Sequence, residues 1–328
     1  MSGHGHGHGH EGDGVRGWIR GLVKPHSHGV GESVDAALES NADGIRAVKI
    51  SLVVLGAAAV VQALLVAFTG SVALLADTVH NFSDALTAVP LWAAFALARR
   101  PATKRYTYGF GRAEDLAGVF IIAMIALSAV VAGYQSITRL LDPRPLDHLG
   151  VLICAGLVGF AGNELVAVYR IRVGRRIGSA ALVADGLHAR TDGFTSLAVV
   201  LGALGVLAGF PLADPIVGLA ITVAILVVLR GAATDVWRRL MDGVDPELVE
   251  AAESALRSTP GVNGIDDLRL RWTGHRIRAE TSVLVDPGLS LTDAHTIAHQ
   301  AHDQLQRSLP KLHTATVHVS PDPSETRG

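Results

Sequence analysis

Residues 184–192 read Ala-Asp-Gly-Leu-His-Ala-Arg-Thr-Asp, and residues 76–84 read Ala-Asp-Thr-Val-His-Asn-Phe-Ser-Asp. Both follow one pattern, A-D-x-x-H-x-x-x-D. In a helix, His80 and Asp84 share one face, as do His188 and Asp192, because residues four apart lie one turn above each other. Asp77 and Asp185 precede their histidines by three and fall on the same faces. Each copy lies inside a long apolar run, so the meaning of the repeat depends on what surrounds those runs.

Six apolar stretches cross the chain at roughly 48–69, 72–98, 115–137, 148–170, 179–207 and 213–230, each near the ~20 residues that span a bilayer. Lipid offers the backbone no hydrogen bonds, so spans of this length must be helical. Only 18% of the 328 residues are charged and 49% are apolar, against about 25% charged in an ordinary soluble domain. The expected fold class is a membrane all-α domain of six transmembrane helices over residues 45–240, with the lipid bilayer as its first partner. A formal net charge of −2 predicts no nucleic-acid partner.

Basic residues set the orientation. Arg99, Arg100, Lys104, Arg105 and Arg112 lie between spans two and three, and Arg170, Arg172, Arg175 and Arg176 between spans four and five. Arg230, Arg238 and Arg239 follow span six, whereas the opposite loops hold Arg139 and Arg144. The positive-inside rule then places both termini in the cytoplasm, with the cell membrane as the location.

In this frame span two runs outward-to-inward opposite to span five. His80 lies roughly 12 Å and His188 roughly 14 Å along their spans at 1.5 Å per residue, near the middle of the hydrocarbon. Antiparallel helices put His80 level with Asp192, and Asp84 level with His188. An Asp at that depth costs about 2.5–3.5 kcal/mol on insertion scales unless it is compensated. A bound cation removes that cost. Two imidazoles and two carboxylates suit tetrahedral Zn²⁺, whereas Ca²⁺ and Mg²⁺ prefer all-oxygen shells; Cd²⁺, Co²⁺, Ni²⁺, Fe²⁺ and Mn²⁺ carriers are the alternatives. The competing reading is a set of interhelical hydrogen bonds with a packing role. Asp77 and Asp185 are candidates to orient the imidazoles from behind. Arg190 points to another face, as a counter-charge or against a neighbouring helix. With its single cysteine, Cys154, the chain has no thiolate cage to offer.

Beyond Asp242 the pattern becomes that of a water-soluble fold. Residues 245–258 and 291–308 read as helices; DLRLRW, RIRAETSVLVD and TATVHV alternate as strands. The order α-β-β-α-β predicts a small cytoplasmic α+β domain over 241–321, with residues 322–328 as a tail. His295, His299 and His302 form a stripe on the second helix, a candidate metal face or a solvated one. Residues 1–44 are polar and Gly/His-rich, with His4, His6, His8, His10, His26 and His28 available for loose metal capture; they are expected to be mobile rather than a signal peptide.

With these residues in view, the chain resembles the cation diffusion facilitator family over about residues 40–320. The paired H-x-x-x-D motifs, the six spans, YGFGRAE (108–114), GVNGIDDLR (261–269) and the α+β domain carry the resemblance. It implies a homodimeric metal/proton antiporter with a metallochaperone-like cytoplasmic domain, Zn²⁺ as substrate and as a candidate regulatory ligand, H⁺ as counter-ion, and no prosthetic group. His80 favours zinc over other divalent metal ions. The resemblance also places family metal-ligand positions at His295, His318 and Asp266, with Ser282 where another ligand is usual, and matches Arg112 and Asp242 to a charge interlock near the dimer interface. The chain is thus expected to be a secondary transporter and not an enzyme: four protein ligands leave a zinc no open position for water. A membrane metal sensor or storage protein is the rival from another class.

Overall fold

The computed structural model describes residues 28–69, 88–142 and 149–323, with the side chains of the first helix described over 39–64. Among the described residues, six helices form the membrane part: α1 (His28–Thr69), α2 (Ala88–Ala98), α3 (Arg112–Leu141), α4 (Leu149–Ile177), α5 (Ala180–Leu207) and α6 (Ala213–Leu240). Five of them are long and apolar enough to cross a bilayer, and α2 is a shorter apolar helix. Their outward faces carry exposed Val53, Leu116, Val130, Leu165, Val223 and Val227. Apolar surface on this scale is stable only against lipid or protein.

The helices overrun the expected spans. α1 begins at His28, within the stretch read as an unpatterned leader ending at residue 44. α4 continues past Arg170 to Ile177, so the basic loop expected there is helix. No breaker occurs before Gly178, whose φ of 80° ends α4, and Ser179 then caps α5 by accepting a hydrogen bond from the Leu182 amide at 3.0 Å. This two-residue connection forces α4 and α5 into an antiparallel pair.

Small residues let that pair close tightly. A Cβ on Gly186 would lie 2.7 Å from Ile171 Cγ1 and 3.1 Å from the Ala167 carbonyl oxygen; one on Gly156 would lie 3.0 Å from the Ser196 carbonyl oxygen. The α4–α5 seam is therefore backbone against backbone, as small-residue membrane interfaces are. A separate cluster centred on Leu91, Phe95, Ile121, Ile125, Leu182 and Ile225 joins the remaining helices.

The second domain follows the expected order: α7 (Pro246–Arg257), β1 (Gly264–Thr273), β2 (Arg276–Val285), α8 (Leu291–Ser308) and β3 (Leu312–Pro321). β1 and β2 form an antiparallel hairpin, and β3 returns through α8 to pair parallel with β2. Leu256, Ile277, Val283, Leu305 and Leu309 fill the core between helices and sheet.

The hairpin tip fastens this domain to the membrane bundle. Gly274, at a φ of 61°, turns the chain so that its carbonyl accepts a hydrogen bond from Arg239 Nη1 of α6 at 2.9 Å. His275 Nδ1 meets Glu114 Oε2 of α3 at 2.7 Å, with both side chains buried. The Arg239 guanidinium lies 4.1 Å over the Trp272 ring, a cation–π arrangement.

Candidate metal centre

α5 carries the described half of the repeated motif. His188 and Asp192 are 1% and 3% exposed, and His188 Nδ1 lies 3.8 Å from Asp192 Oδ1. One helical turn thus presents a nitrogen and an oxygen side by side in an apolar bundle. Thr191 and Thr195 donate their hydroxyls to the carbonyls of His188 and Asp192, each at 2.7 Å. These bonds turn the threonine oxygens back onto the helix, leaving the imidazole and carboxylate as the projecting polar groups of that turn. His188 lies about 12 Å along α5 from Ala180, inside the apolar length of that helix. His80, Asp84 and Asp77 lie outside the described residues.

Asp185 sits one turn before His188, fully buried. Its Oδ2 lies 2.9 Å from Arg170 Nη1 of α4, and the two side chains are 0% and 2% exposed. The arginine read as a loop charge is therefore a buried counter-ion, held by the leading Asp of the motif. Arg190, on another face as its position implied, makes a two-point contact with Glu164 of α4: Nη2 to Oε1 at 2.6 Å and Nε to Oε2 at 3.1 Å. Sequence reasoning missed both α4 partners. The signal was present: charges on α4 and α5 of opposite sign stand at matching distances before and after the turn at Gly178, as an antiparallel hairpin of helices requires.

In the C-terminal domain the stripe is partly assembled. His295 Nε2 and His299 Nε2 approach to 3.1 Å, close to the separation of two nitrogens sharing a metal at about 2.0–2.1 Å each. His302 instead faces Asp303 at 3.5 Å. His318 is paired in register with Ser282 in the sheet, and Asp266 falls at the bulge of β1. Among the described residues, no three His, Cys, Asp or Glu side chains converge as a metal-holding group. Arg112 and Asp242 do meet, in an exposed ion pair between the start of α3 and the end of α6; Asp242 holds a left-handed backbone, φ 57°, which Asp tolerates better than most residues.

An apolar helix bundle that buries an imidazole and a carboxylate on one turn, above a small α+β domain, defines a polytopic membrane protein built to handle cations. Known proteins narrow that class. Residues 48–241 match the cation efflux transmembrane domain, and residues 244–322 the cation efflux protein cytoplasmic domain. The chain is 62% identical over 308 residues to a probable cation efflux system protein of Mycobacterium tuberculosis (strain H37Rv), covering 94% of this chain and 93% of that protein. It is 27% identical over 258 residues to the magnetosome protein MamB of Paramagnetospirillum magneticum, covering 78% of this chain and 87% of MamB. A solved structure of a MamM-CTD variant covers 24% of this chain and 96% of that chain, at 23% identity and a TM-score of 0.23. The chain belongs to the cation efflux family, the cation diffusion facilitators, and is a membrane transporter of cations.

Proposed function

We propose that this transporter moves Zn²⁺ out of the cytosol in exchange for protons. The observation that carries the reading is the buried His188–Asp192 pair, one nitrogen and one oxygen donor on a single turn of α5. With His80 and Asp84 supplying the same pair from the second span, the set matches the N/O preference of zinc.

The cycle follows from protonation. Imidazole ligates only when neutral, and its ordinary pKa of about 6.5 keeps most of it neutral at cytosolic pH. Zinc arriving from the cytosol displaces residual protons from the ligands. When the bundle reopens on the far side, protonation of an imidazole or carboxylate removes a ligand, and zinc leaves. The protons then return inward with the empty site. Four close ligands titrate as one coupled set, so the proton belongs to the set rather than to one residue.

The reading extends to a homodimer in the cell membrane, with both termini cytoplasmic. It rests on the basic Arg175, Arg176, Arg238 and Arg239 at one end of the bundle and on the match to the cytoplasmic domain. The His295–His299 pair is read as a low-capacity regulatory zinc contact. The test is zinc uptake by inside-out vesicles under an imposed proton gradient. His188→Ala should abolish it, and a retained wild-type rate refutes the site. A protein that binds zinc but accumulates none, gradient or not, is a sensor or store. Uptake of Mn²⁺ or Fe²⁺ in preference to Zn²⁺ moves the assignment to another cargo.

A further inference from the structure

A cavity of about 400 Å³ lies where the cytoplasmic hairpin meets the membrane bundle. Its membrane side is the end of α2 and the following loop, contributing Arg99 and Arg100; its cytoplasmic side is the start of β2, contributing Arg276 and Arg278. Among the described residues Glu114 is the one acidic residue lining it, and that carboxylate is already taken by His275 at 2.7 Å. None of the four guanidiniums forms a salt bridge with a described residue. Arg278 is instead held by the Tyr108 carbonyl at 3.3 Å, with its guanidinium 4.9 Å from the Tyr108 ring. Arg276 and Arg278 lie near enough for the charge of one to act on the other, and Arg99 and Arg100 line the same cavity; like charges gathered in one cavity carry a cost unless an anion answers them.

The neighbours register the same imbalance. Burial lowers the pKa of Arg276, against the pull of Glu114, and Arg278 lowers it further; burial and then Arg271 lower that of Arg278, against Tyr108 and Glu280. His313 is pushed down to about 4 by burial, then by Arg276, Arg278 and His275. His275, 4% exposed, has an Nε2 with no hydrogen-bond partner among the described residues. Two imidazoles and a carboxylate are ligand types for a metal, but Arg276 and Arg278, whose charges act on His313, repel a divalent cation there. The lining of the cavity suits an anion.

We propose that this junction is a binding site for a phosphate-bearing anion, gripped by Arg99 and Arg100 from the membrane side and by Arg276 and Arg278 from the cytoplasmic domain. Guanidinium forks match phosphate oxygens in geometry as well as charge. With its Nδ1–H donated to the Glu114 carboxylate, the neutral His275 ring presents Nε2 as an acceptor, which a hydroxyl of the bound phosphate group satisfies. The cavity opens where the apolar length of α2 stops and Arg99 begins, at headgroup level. An anionic lipid therefore reaches it, as does a free phosphate compound; both present the same chemistry. Either would tie the two domains together through shared oxygens.

The test is equilibrium binding to the full-length protein in neutral detergent, with three probes: short-chain phosphatidylglycerol, short-chain phosphatidylcholine and inorganic pyrophosphate. Saturable binding of phosphatidylglycerol but not pyrophosphate assigns a lipid headgroup; the reverse assigns a soluble phosphate. In either case Arg276→Gln/Arg278→Gln and, separately, Arg99→Gln/Arg100→Gln should each weaken binding about tenfold or more, and added salt should weaken it further. The membrane-side pair keeps the test open if the other variant fails to fold. Arg269→Gln removes a nearby exposed charge outside the cavity and should change nothing. The proposal fails if neither anion saturates, if phosphatidylcholine binds as tightly as phosphatidylglycerol, or if Arg269→Gln loses as much as the cavity variants.

Discussion

Asp185→Asn isolates one buried charge. Arg170 is 2% exposed and its Nη1 lies 2.9 Å from Asp185 Oδ2, while its Nε and Nη2 find no hydrogen-bond partner among the described residues. Among the described residues, compensation of the guanidinium therefore rests on one carboxylate. Removing that charge leaves a cation in the bundle interior, which costs about 3–5 kcal/mol in comparable buried pairs. For a domain of this size that lowers the melting temperature by roughly 10 °C. The assay is thermal unfolding of the full chain in detergent, followed by tryptophan fluorescence, for Asp185→Asn, Arg170→Met and the double variant Arg170→Met/Asp185→Leu. Each single variant should melt well below the native protein, and the double variant should recover much of the loss, because no unpaired charge remains. A native-like melting point for Asp185→Asn, or a double variant worse than either single one, would refute the reasoning.

Other perturbations follow from the same geometry. Gly186→Val drives a branched side chain into the Ile171 and Ala167 backbone, so it should cost about 1–3 kcal/mol of bundle stability, read as earlier unfolding in detergent. His313 offers a pH signature. Its folded pKa of about 4 lies below the ordinary 6.5, so the unfolded chain holds more protons between those values. Stability is full above about pH 6.5 and declines as pH falls toward 4, by about 1 kcal/mol once the half-exposed ring is discounted for solvent screening. His313→Gln should reduce the difference in melting temperature between about pH 7.5 and 5; an unchanged difference counts against it. His295→Ala/His299→Ala should remove any zinc-induced rise in melting temperature of the full chain that persists when His188 is also replaced by Ala, and a persisting rise would place that zinc elsewhere.

Much of the fold was legible because lipid and water impose different patterns. Apolar runs of bilayer length had to be helices, and the strand alternation after Asp242 had to be a half-buried sheet. Helix ends were read less well. The start of α1 at His28 and the continuation of α4 to Ile177 hide behind polar residues that hydropathy treats as loop, although nothing there breaks a helix. Arg170 looked like a solvent charge because its partner is fifteen residues away, across a turn that single-residue polarity does not reveal. At the site, spacing alone put His188 and Asp192 on one buried face. The docking of His275 onto Glu114 had no local signal, since an isolated histidine at a hairpin tip is ordinarily a wet turn residue.

The hairpin tip is clamped at two points, to the start of α3 through Glu114 and to the end of α6 through Arg239. The sheet beyond it is built of ten-residue strands, about 33 Å long at 3.3 Å per residue. A swing of about 10° between α3 and α6 at the membrane surface would carry the far edge of that sheet through about 6 Å. The C-terminal domain is thus a pointer whose pivot lies where it meets the helix bundle, and a pair of labels, one at its far edge and one on the bundle, would read out tilting between them magnified by the length of the strands.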